Sequence, residues 1–300
     1  MVKSYEPYDK TMQGKTIKQN KNLSSTNIIE KNLRLCYIKG MEKQMQTIKI
    51  PAKVNLSLEI TGVKDGLHTL KMETMSIDMY DTVSYCPNDK GVVDVRFEDC
   101  FDGFDEDRFR PIIERAISKF VETYGNVGAD MIISKRVPLG AGIGGSSVAV
   151  VGVVKALEKL KNTKVDARFL LSIGSDIPVV YVGGRNLVTG VGDVVTPLEK
   201  QEKHFVILIK GAVDSGKAYS LFDKIGSEKY GARENHLEKS ARILNEGVID
   251  ARKALENAGA KDVVMSGSGS AVVGVFEDEN EAREIYAKID GINKVLAKSV

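Results

Sequence analysis

The chain has 300 residues, of which 42% are hydrophobic and 28% charged, a composition typical of a soluble globular protein with one large domain or two ordinary ones. No apolar run reaches the roughly 18 residues that a membrane-spanning helix needs, so we expect no membrane partner. The 43 basic and 41 acidic side chains leave a net charge of +2, which argues against a nucleic-acid partner bound through bulk charge.

Residues 1–44 differ in composition from the rest of the chain. They are rich in Lys, Asn, Gln, Ser and Thr and show little apolar periodicity, which predicts a disordered or non-native extension without a catalytic role. The stretch also lacks the apolar core of a secretory signal. The three cysteines are scattered and predict neither a zinc site nor a disulfide framework, so we expect a cytoplasmic protein.

The first predicted domain covers residues 45–198. Alternating apolar residues from Ile48 to Ile60 predict a strand whose opposite face presents Lys53 and Asn55. The elements predicted after it are a strand over 69–85, an amphipathic helix over 111–124 with Pro111 in its first turn, a short strand over 131–134 and an apolar, buried helix over 147–161.

The second predicted domain covers residues 199–300. Its predicted elements are a strand over 205–209, a helix over 216–224, a long helix over 236–257, strands over 263–265 and 272–276, a helix over 279–289 and a strand over 294–298. Strands that alternate with helices in this way indicate an α+β fold with helices on one face of the sheet.

A glycine-rich segment, Pro138 to Ser147, precedes the buried helix and reads PLGAGIGGSS. Glycines let the backbone adopt positive φ and approach a ligand closely, and successive N–H groups at a helix N-terminus attract an anion. The segment matches neither a Walker loop nor a dinucleotide fingerprint. It predicts a phosphate-binding loop, and a glycine-rich helix entry without a ligand is the alternative.

Three further motifs have ordinary structural explanations when each is considered alone. Lys53 with Asn55 could be a solvated strand face, and Asp176 in the sequence GSDIP could be a turn residue. The loop from Ser266 to Ser270 could be a flexible hairpin tip, or a second backbone loop that faces phosphate.

Together, the order and spacing of these motifs resemble the GHMP kinases. The resemblance covers residues 46–300, and the matching stretches are PAKVNLSLEITGVKDGLHTL, PLGAGIGGSS, GSDIPVV, GGRNLVTGVGDVVTPL, NHLE and MSGSGSAVVGVF. The PAKVN start, the following Gly-Leu-His and the SDIP stretch are most similar to the narrower family of 4-diphosphocytidyl-2-C-methyl-D-erythritol kinases. That family usually has a tyrosine where this chain has Leu67.

The resemblance implies a two-domain GHMP kinase fold, with an N-terminal α/β nucleotide-binding domain and a C-terminal ferredoxin-like α+β domain. It makes Lys53 and Asp176 the catalytic pair: Asp176 would take the proton of the attacking hydroxyl, and Lys53 would stabilise the developing charge. The other implied site residues are Pro138, Gly140, Ala141, Gly142, Gly144, Gly145, Ser146 and Ser147 for ATP, Ser147 also for Mg²⁺, and Asn55, His68, Ser268 and Gly269 for the acceptor.

The activity implied is ATP-dependent phosphorylation of the 2-hydroxyl of 4-diphosphocytidyl-2-C-methyl-D-erythritol in non-mevalonate isoprenoid biosynthesis, by a monomer or homodimer. Two alternatives stay open from the residues. One is a GHMP kinase for another small polyol or sugar alcohol, and the other is a catalytically silent nucleotide-binding relative.

Overall fold

The structure is a computed structural model that describes residues 35–38 and 41–300, with side chains from residue 45 onward. Strands β1 (Leu35–Ile38) and β2 (Met41–Gln44) pair antiparallel, so the end of the predicted extension contains a strand pair. The rest of that predicted extension lies outside the described residues. Of the helices that the structure describes, none has the length and apolarity to span a bilayer.

A seven-stranded sheet forms the first half of the fold. Its central strand, β5 (Leu67–Pro87), pairs antiparallel with four neighbours along its length. The other strands are β3 (Gln46–Asn55), β4 (Glu59–Lys64), β6 (Val93–Phe97), β7 (Ala129–Ser134), β8 (Arg185–Gly190) and β9 (Val194–Pro197). The alternation that predicted one strand over 48–60 is interrupted, because the chain leaves the β3–β5 pairing after Asn55 and pairs again from Glu59.

Four helices belong to this half: α1 (Glu106–Tyr124), α2 (Gly145–Lys161), α3 (Ala167–Ile173) and α4 (Ile177–Val182). Helix α2 packs on β3 and β5 and is buried along most of its length, as its apolar sequence predicts. Helix α1 starts earlier than predicted, because the Asp105 side chain accepts a hydrogen bond from the Arg108 amide and caps the helix there. Pro111 therefore lies inside the helix and not in its first turn.

The second half is a four-stranded antiparallel sheet with the order β11-β12-β10-β13, formed by β10 (His204–Ile209), β11 (Val263–Met265), β12 (Val272–Phe276) and β13 (Asn293–Lys298). Its helices are α5 (Ser215–Ile225), α6 (Glu238–Leu244), α7 (Gly247–Ala258) and α8 (Glu279–Lys288). This strand order and the helices between the strands are those of a ferredoxin-like unit.

The single long helix predicted over 236–257 is wrong, because two helices occupy this stretch. Asn245 ends α6: its amide nitrogen donates to the Lys210 carbonyl at 2.8 Å, and its amide oxygen accepts from the Gly247 N–H at 2.9 Å. These side-chain bonds offer the backbone an alternative to the helical ladder.

One contiguous hydrophobic core extends from the large sheet into the small one. The predicted division between residues 198 and 199 falls in the connection between β9 and β10 and stays a prediction. The expectation that the scattered cysteines form no disulfide is wrong for Cys86, which is disulfide-bonded, whereas Cys100 is a free thiol.

Candidate active site

The glycine-rich loop connects β7 to α2 in a conformation that needs glycine. Gly140, Gly142 and Gly144 have φ values of +67°, +73° and +81°, in the left-handed region that side chains disfavour. A Cβ at Gly142 would lie 2.0 Å from the Ser266 carbonyl oxygen, and one at Gly145 would lie 2.0 Å from the Pro138 carbonyl oxygen. Helix α2 begins at Gly145, so its first-turn N–H groups have no partner within the helix.

The loop from Ser266 to Ser270 packs against the glycine-rich loop and binds its carbonyl groups. The Ser266 hydroxyl donates to Gly142 O at 2.9 Å, the Ala271 amide to Ala141 O at 3.0 Å, and the Ser270 amide to Gly140 O at 3.3 Å. Buried Asn235 holds this second loop in turn, since its amide nitrogen donates to the Met265 and Gly267 carbonyls at 2.7 and 2.8 Å. The second loop therefore fixes the first and is not a flexible hairpin tip.

Lys53 and Asp176 meet at the cleft between these loops. The Lys53 ammonium lies 3.5 Å from an Asp176 carboxylate oxygen, although the two residues are far apart in sequence. The Lys53 side chain is 5% exposed and that of Asp176 39%, so the cation is held inside the protein and the carboxylate faces the cleft. The Lys53 backbone amide also donates to Ile143 O at 3.1 Å, which ties β3 to the glycine-rich loop.

Asn55 is almost fully buried, and its side chain is engaged by the protein. Its amide oxygen accepts from the Lys53 ammonium at 2.5 Å, and its amide nitrogen lies 3.1 Å from the Met72 sulfur. Gly142 O accepts from the same ammonium at 3.2 Å. Lys53 thus has three directed partners, and Asn55 orients it towards Asp176. The sequence alone did not predict the hydrogen bond between Lys53 and Asn55.

The cleft is lined by residues from both halves of the fold. They are Lys53, Asn55, Leu58, Leu70, Met72, Gly140, Gly142, Gly144, Gly145, Ser146, Ser175, Asp176, Ser215, Tyr219, Gly267 and Ser268. Of the residues predicted to bind ATP or acceptor, Pro138, Ala141, Ser147, His68 and Gly269 do not line it; Ser147 and His68 line neighbouring pockets. Ala141 is fully buried, and Gly269 faces Met265 and Ala241 behind the second loop.

An apolar pocket adjoins this cleft and contains His68. Leu67, His68, Leu171, Val191 and Tyr219 are among its lining residues, and Tyr219 lines the cleft as well. The His68 ring stacks on the Tyr219 ring with centroids 5.0 Å apart and planes at 26°. Its Nε2 lies 2.7 Å from an Asp223 carboxylate oxygen.

Tyr219 is the main site residue that the sequence did not indicate. It lies in the first turns of α5, where a tyrosine in an amphipathic helix carries no local signal of function. Burial, and secondarily the negative charge of Asp176, raises the pKa of its phenol. Leu67, by contrast, is 59% exposed at the tip of the β4–β5 hairpin.

The predicted metal position has a hydroxyl donor but no carboxylate cluster. Ser147 is largely buried and lines a pocket that it shares with Ser146 and Asp176. Within the described part of the chain there is no group of three or more His, Cys, Asp or Glu side chains that could hold a metal ion. Mg²⁺ is commonly bound through one or two protein ligands together with substrate phosphates, and these residues fit that mode only.

Comparison with known proteins agrees with this geometry. The family model "GHMP kinases N terminal domain" matches residues 111–198 and "GHMP kinases C terminal" matches 219–293, together more than half of the chain. A 4-diphosphocytidyl-2-C-methyl-D-erythritol kinase of Clostridium kluyveri is 28% identical, and the alignment covers 81% of this chain and 95% of that protein. The Clostridium tetani protein of the same name is 29% identical, with the same coverage.

Solved structures show the same fold. A 4-(cytidine 5'-diphospho)-2C-methyl-D-erythritol kinase superposes with a TM-score of 0.63 at 23% identity, over 85% of this chain and 100% of that one. The mevalonate kinase of Methanococcus jannaschii superposes with a TM-score of 0.60 at 13% identity, over 86% and 99%. The predicted family resemblance and fold class are confirmed.

Proposed function

This chain belongs to the GHMP kinases and is an ATP-dependent kinase of small molecules, and we propose that its acceptor is 4-diphosphocytidyl-2-C-methyl-D-erythritol, phosphorylated on the 2-hydroxyl group. The observation that supports this most is the Lys53–Asp176 contact in a cleft between the glycine-rich loop and the His68–Tyr219 pocket. Relatives with this name align over four-fifths of the chain. The reaction would belong to non-mevalonate isoprenoid biosynthesis.

The glycine-rich loop would bind the triphosphate of ATP. Backbone N–H groups at the start of α2 donate to phosphate oxygens, and the helix dipole adds partial positive charge there. Ser147 would hold Mg²⁺ together with the phosphates, and the ion would neutralise the charge on the β- and γ-phosphates. The second loop keeps the carbonyls of Gly140, Ala141 and Gly142 engaged, which leaves the amides to the ligand.

Lys53 and Asp176 would act on the attacking hydroxyl and the transferred phosphoryl group. Asp176 is exposed to the cleft and would accept the hydroxyl proton as the oxygen attacks the γ-phosphorus, the bond to the β–γ bridging oxygen breaks and ADP leaves. Lys53 stabilises the ionised carboxylate and the negative charge of the transition state. Because Asn55 and Gly142 O fix two of its N–H groups, the ammonium needs little reorganisation during the reaction.

The adjoining pocket would bind the nucleotide end of the acceptor. A planar base would share the Tyr219 ring with His68, which already stacks on it, and His68 would contact the polar edge of the base. Tyr219 would then supply the aromatic surface that Leu67 lacks. Since Tyr219 also lines the catalytic cleft, an acceptor bound to it extends towards Asp176.

The experiment is a panel of alcohols incubated with purified full-length protein, ATP and Mg²⁺, with ADP release and phosphorus NMR as readouts. The proposal predicts rapid transfer to the 2-hydroxyl of the cytidyl alcohol and little transfer to homoserine or mevalonate. Faster phosphorylation of another polyol would show that this polyol is the acceptor and would leave the assignment as a kinase unchanged. ATP binding without transfer to any alcohol would favour a catalytically silent relative.

The remaining expectations stay predictions. We propose that the protein acts in the cytoplasm as a monomer or homodimer, without nucleic-acid or membrane partners. The near-neutral net charge of +2 supports the absence of a nucleic-acid partner. Sedimentation of the purified protein tests the oligomeric state.

A further inference from the structure

A buried ion pair lies directly beneath the start of the glycine-rich loop and is not used by the proposed chemistry. The Lys135 ammonium is 2.8 Å from an Asp81 carboxylate oxygen, and the two side chains are 0% and 1% exposed. Asp81 lies in β5, and Lys135 follows β7 immediately. Neither residue lines the cleft or the adjoining pocket.

The pair binds the backbone that leads into the loop. One Asp81 carboxylate oxygen accepts from the Arg136 amide at 2.7 Å and from the Val137 amide at 2.8 Å. The Lys135 ammonium donates to the Val137 carbonyl oxygen. Both polar backbone groups of Val137, the residue before Pro138, are therefore held by this one ion pair.

Lys135 is also enclosed by aromatic rings. Its ammonium lies 5.8 Å from the ring centroid of Phe109 in α1 and 5.9 Å from that of Phe101. Its backbone carbonyl accepts from the Phe101 amide at 2.8 Å. Burial raises the pKa of Asp81 and lowers that of Lys135, because removing either charged group from water costs free energy.

Such a pair is not explained by core stability. Replacing a buried ion pair by apolar residues of similar volume is often neutral or stabilising, whereas removing one partner leaves a costly unpaired charge. What apolar residues could not supply is the set of directed bonds to Arg136 and Val137. These bonds fix where the backbone enters the loop, upstream of the turn at Gly140.

We propose that Asp81 and Lys135 are positioning residues that set the geometry of the ATP-binding loop from below. They act through the Val137 backbone and do not touch the ligand. The inference rests on the proposed role of residues 138–147 in binding ATP. It predicts that loss of the pair weakens nucleotide binding in protein that is still folded.

The test compares two double variants of the full chain. Asp81→Asn/Lys135→Met removes both charges but retains an amide oxygen for the Arg136 and Val137 N–H groups. Asp81→Leu/Lys135→Met removes these bonds as well. The matched control is Glu238→Gln/Arg252→Met, at a second strongly buried ion pair of the described residues. Beyond that pair, the Arg252 side chain donates to Tyr230, Glu256 and Val263 and to neither loop.

Calorimetry gives the ATP dissociation constant, hydrogen exchange reports on residues 136–147, and thermal unfolding confirms that each variant is folded. We expect the ATP dissociation constant to rise about 10-fold or more for Asp81→Leu/Lys135→Met, which loses both the charges and the bonds to the backbone. The rise should be smaller for Asp81→Asn/Lys135→Met, which loses only the charges. Exchange in 136–147 should rise in the same order. The control should lower the melting temperature without changing ATP affinity.

Wild-type ATP affinity in both Asp81/Lys135 variants would overturn this inference and leave the kinase assignment intact. Equal weakening in the control would also overturn it, since the effect would then be one of general stability. If the Leu variant does not fold, the Asn variant alone decides, and wild-type ATP affinity in that variant overturns the inference. Failure of the wild-type protein to bind ATP would overturn both this inference and the proposed function.

Discussion

Gly142→Ala tests whether the glycine-rich loop and the second loop must touch for ATP to bind. At φ +73° an alanine is strained by about 1–2 kcal/mol, and its Cβ would lie 2.0 Å from Ser266 O. The loops must separate by about 1 Å to relieve that contact, because real Cβ atoms essentially never come within 3.0 Å.

A shift of Gly142 away from the second loop weakens two hydrogen bonds to its carbonyl oxygen, one from the Ser266 hydroxyl at 2.9 Å and one from the Lys53 ammonium of β3 at 3.2 Å. The φ strain lowers folding stability, as it does in the control below. The two displaced bonds, at about 1 kcal/mol each, cost about 2 kcal/mol when ATP binding has to restore them, which corresponds to a fall of about 30-fold in kcat/KM for ATP.

The control is Gly291→Ala, which has a similar φ of +75° but open space around its Cβ position, in the turn before β13. It should lose about 1–2 kcal/mol of stability and keep its activity. Steady-state kinetics and thermal unfolding of both variants make the comparison. Equal kinetics for Gly142→Ala and Gly291→Ala would refute the argument that contact between the loops shapes the ATP site.

Three further variants address single contacts. Asn55→Leu removes the acceptor that orients Lys53, so kcat should fall about 10-fold with the acceptor KM nearly unchanged; a rise in KM alone would make Asn55 a substrate ligand. For Tyr219, the phenol of the unfolded chain has a pKa of 10.0 and loses its proton near that pH. The folded phenol, whose pKa is raised, keeps its proton, so folding stability falls as the pH rises through 10.0. Between pH 8.5 and 10.5, Tyr219→Phe should therefore lose about 0.8 kcal/mol less stability than wild type in urea unfolding, and identical losses would contradict the burial of the phenol. Asn235→Leu leaves the Met265 and Gly267 carbonyls without their donor and should lower the free energy of unfolding by about 2 kcal/mol, which an unchanged urea midpoint would disprove.

The sequence predicted those parts of the site that depend on local backbone chemistry. The glycine-rich loop could be found because positive φ and close approach demand glycine at fixed positions, and α2 could be found because its residues are apolar on all sides. The predicted meeting of Lys53 and Asp176 came from the family resemblance, since no local pattern relates two residues on separate elements.

Other features depend on tertiary contacts that the sequence does not display. Lys53 and Asn55 lie on the polar face of β3, which predicts solvent exposure, yet the two loops bury that face. Asn245 ends α6 because the Lys210 carbonyl lies within reach, although the apolar periodicity continues past it. Tyr219 becomes a site residue only when α5 is placed beside His68.

The central claim is that Asp176, held 3.5 Å from Lys53, takes the proton of the attacking hydroxyl. The most direct test is the single-turnover rate of phosphoryl transfer in Asp176→Asn, measured together with its ATP dissociation constant. A fall of about 10²-fold or more in the rate, with ATP affinity within about 3-fold of wild type, is the predicted result. A transfer rate within a few-fold of wild type would contradict the claim.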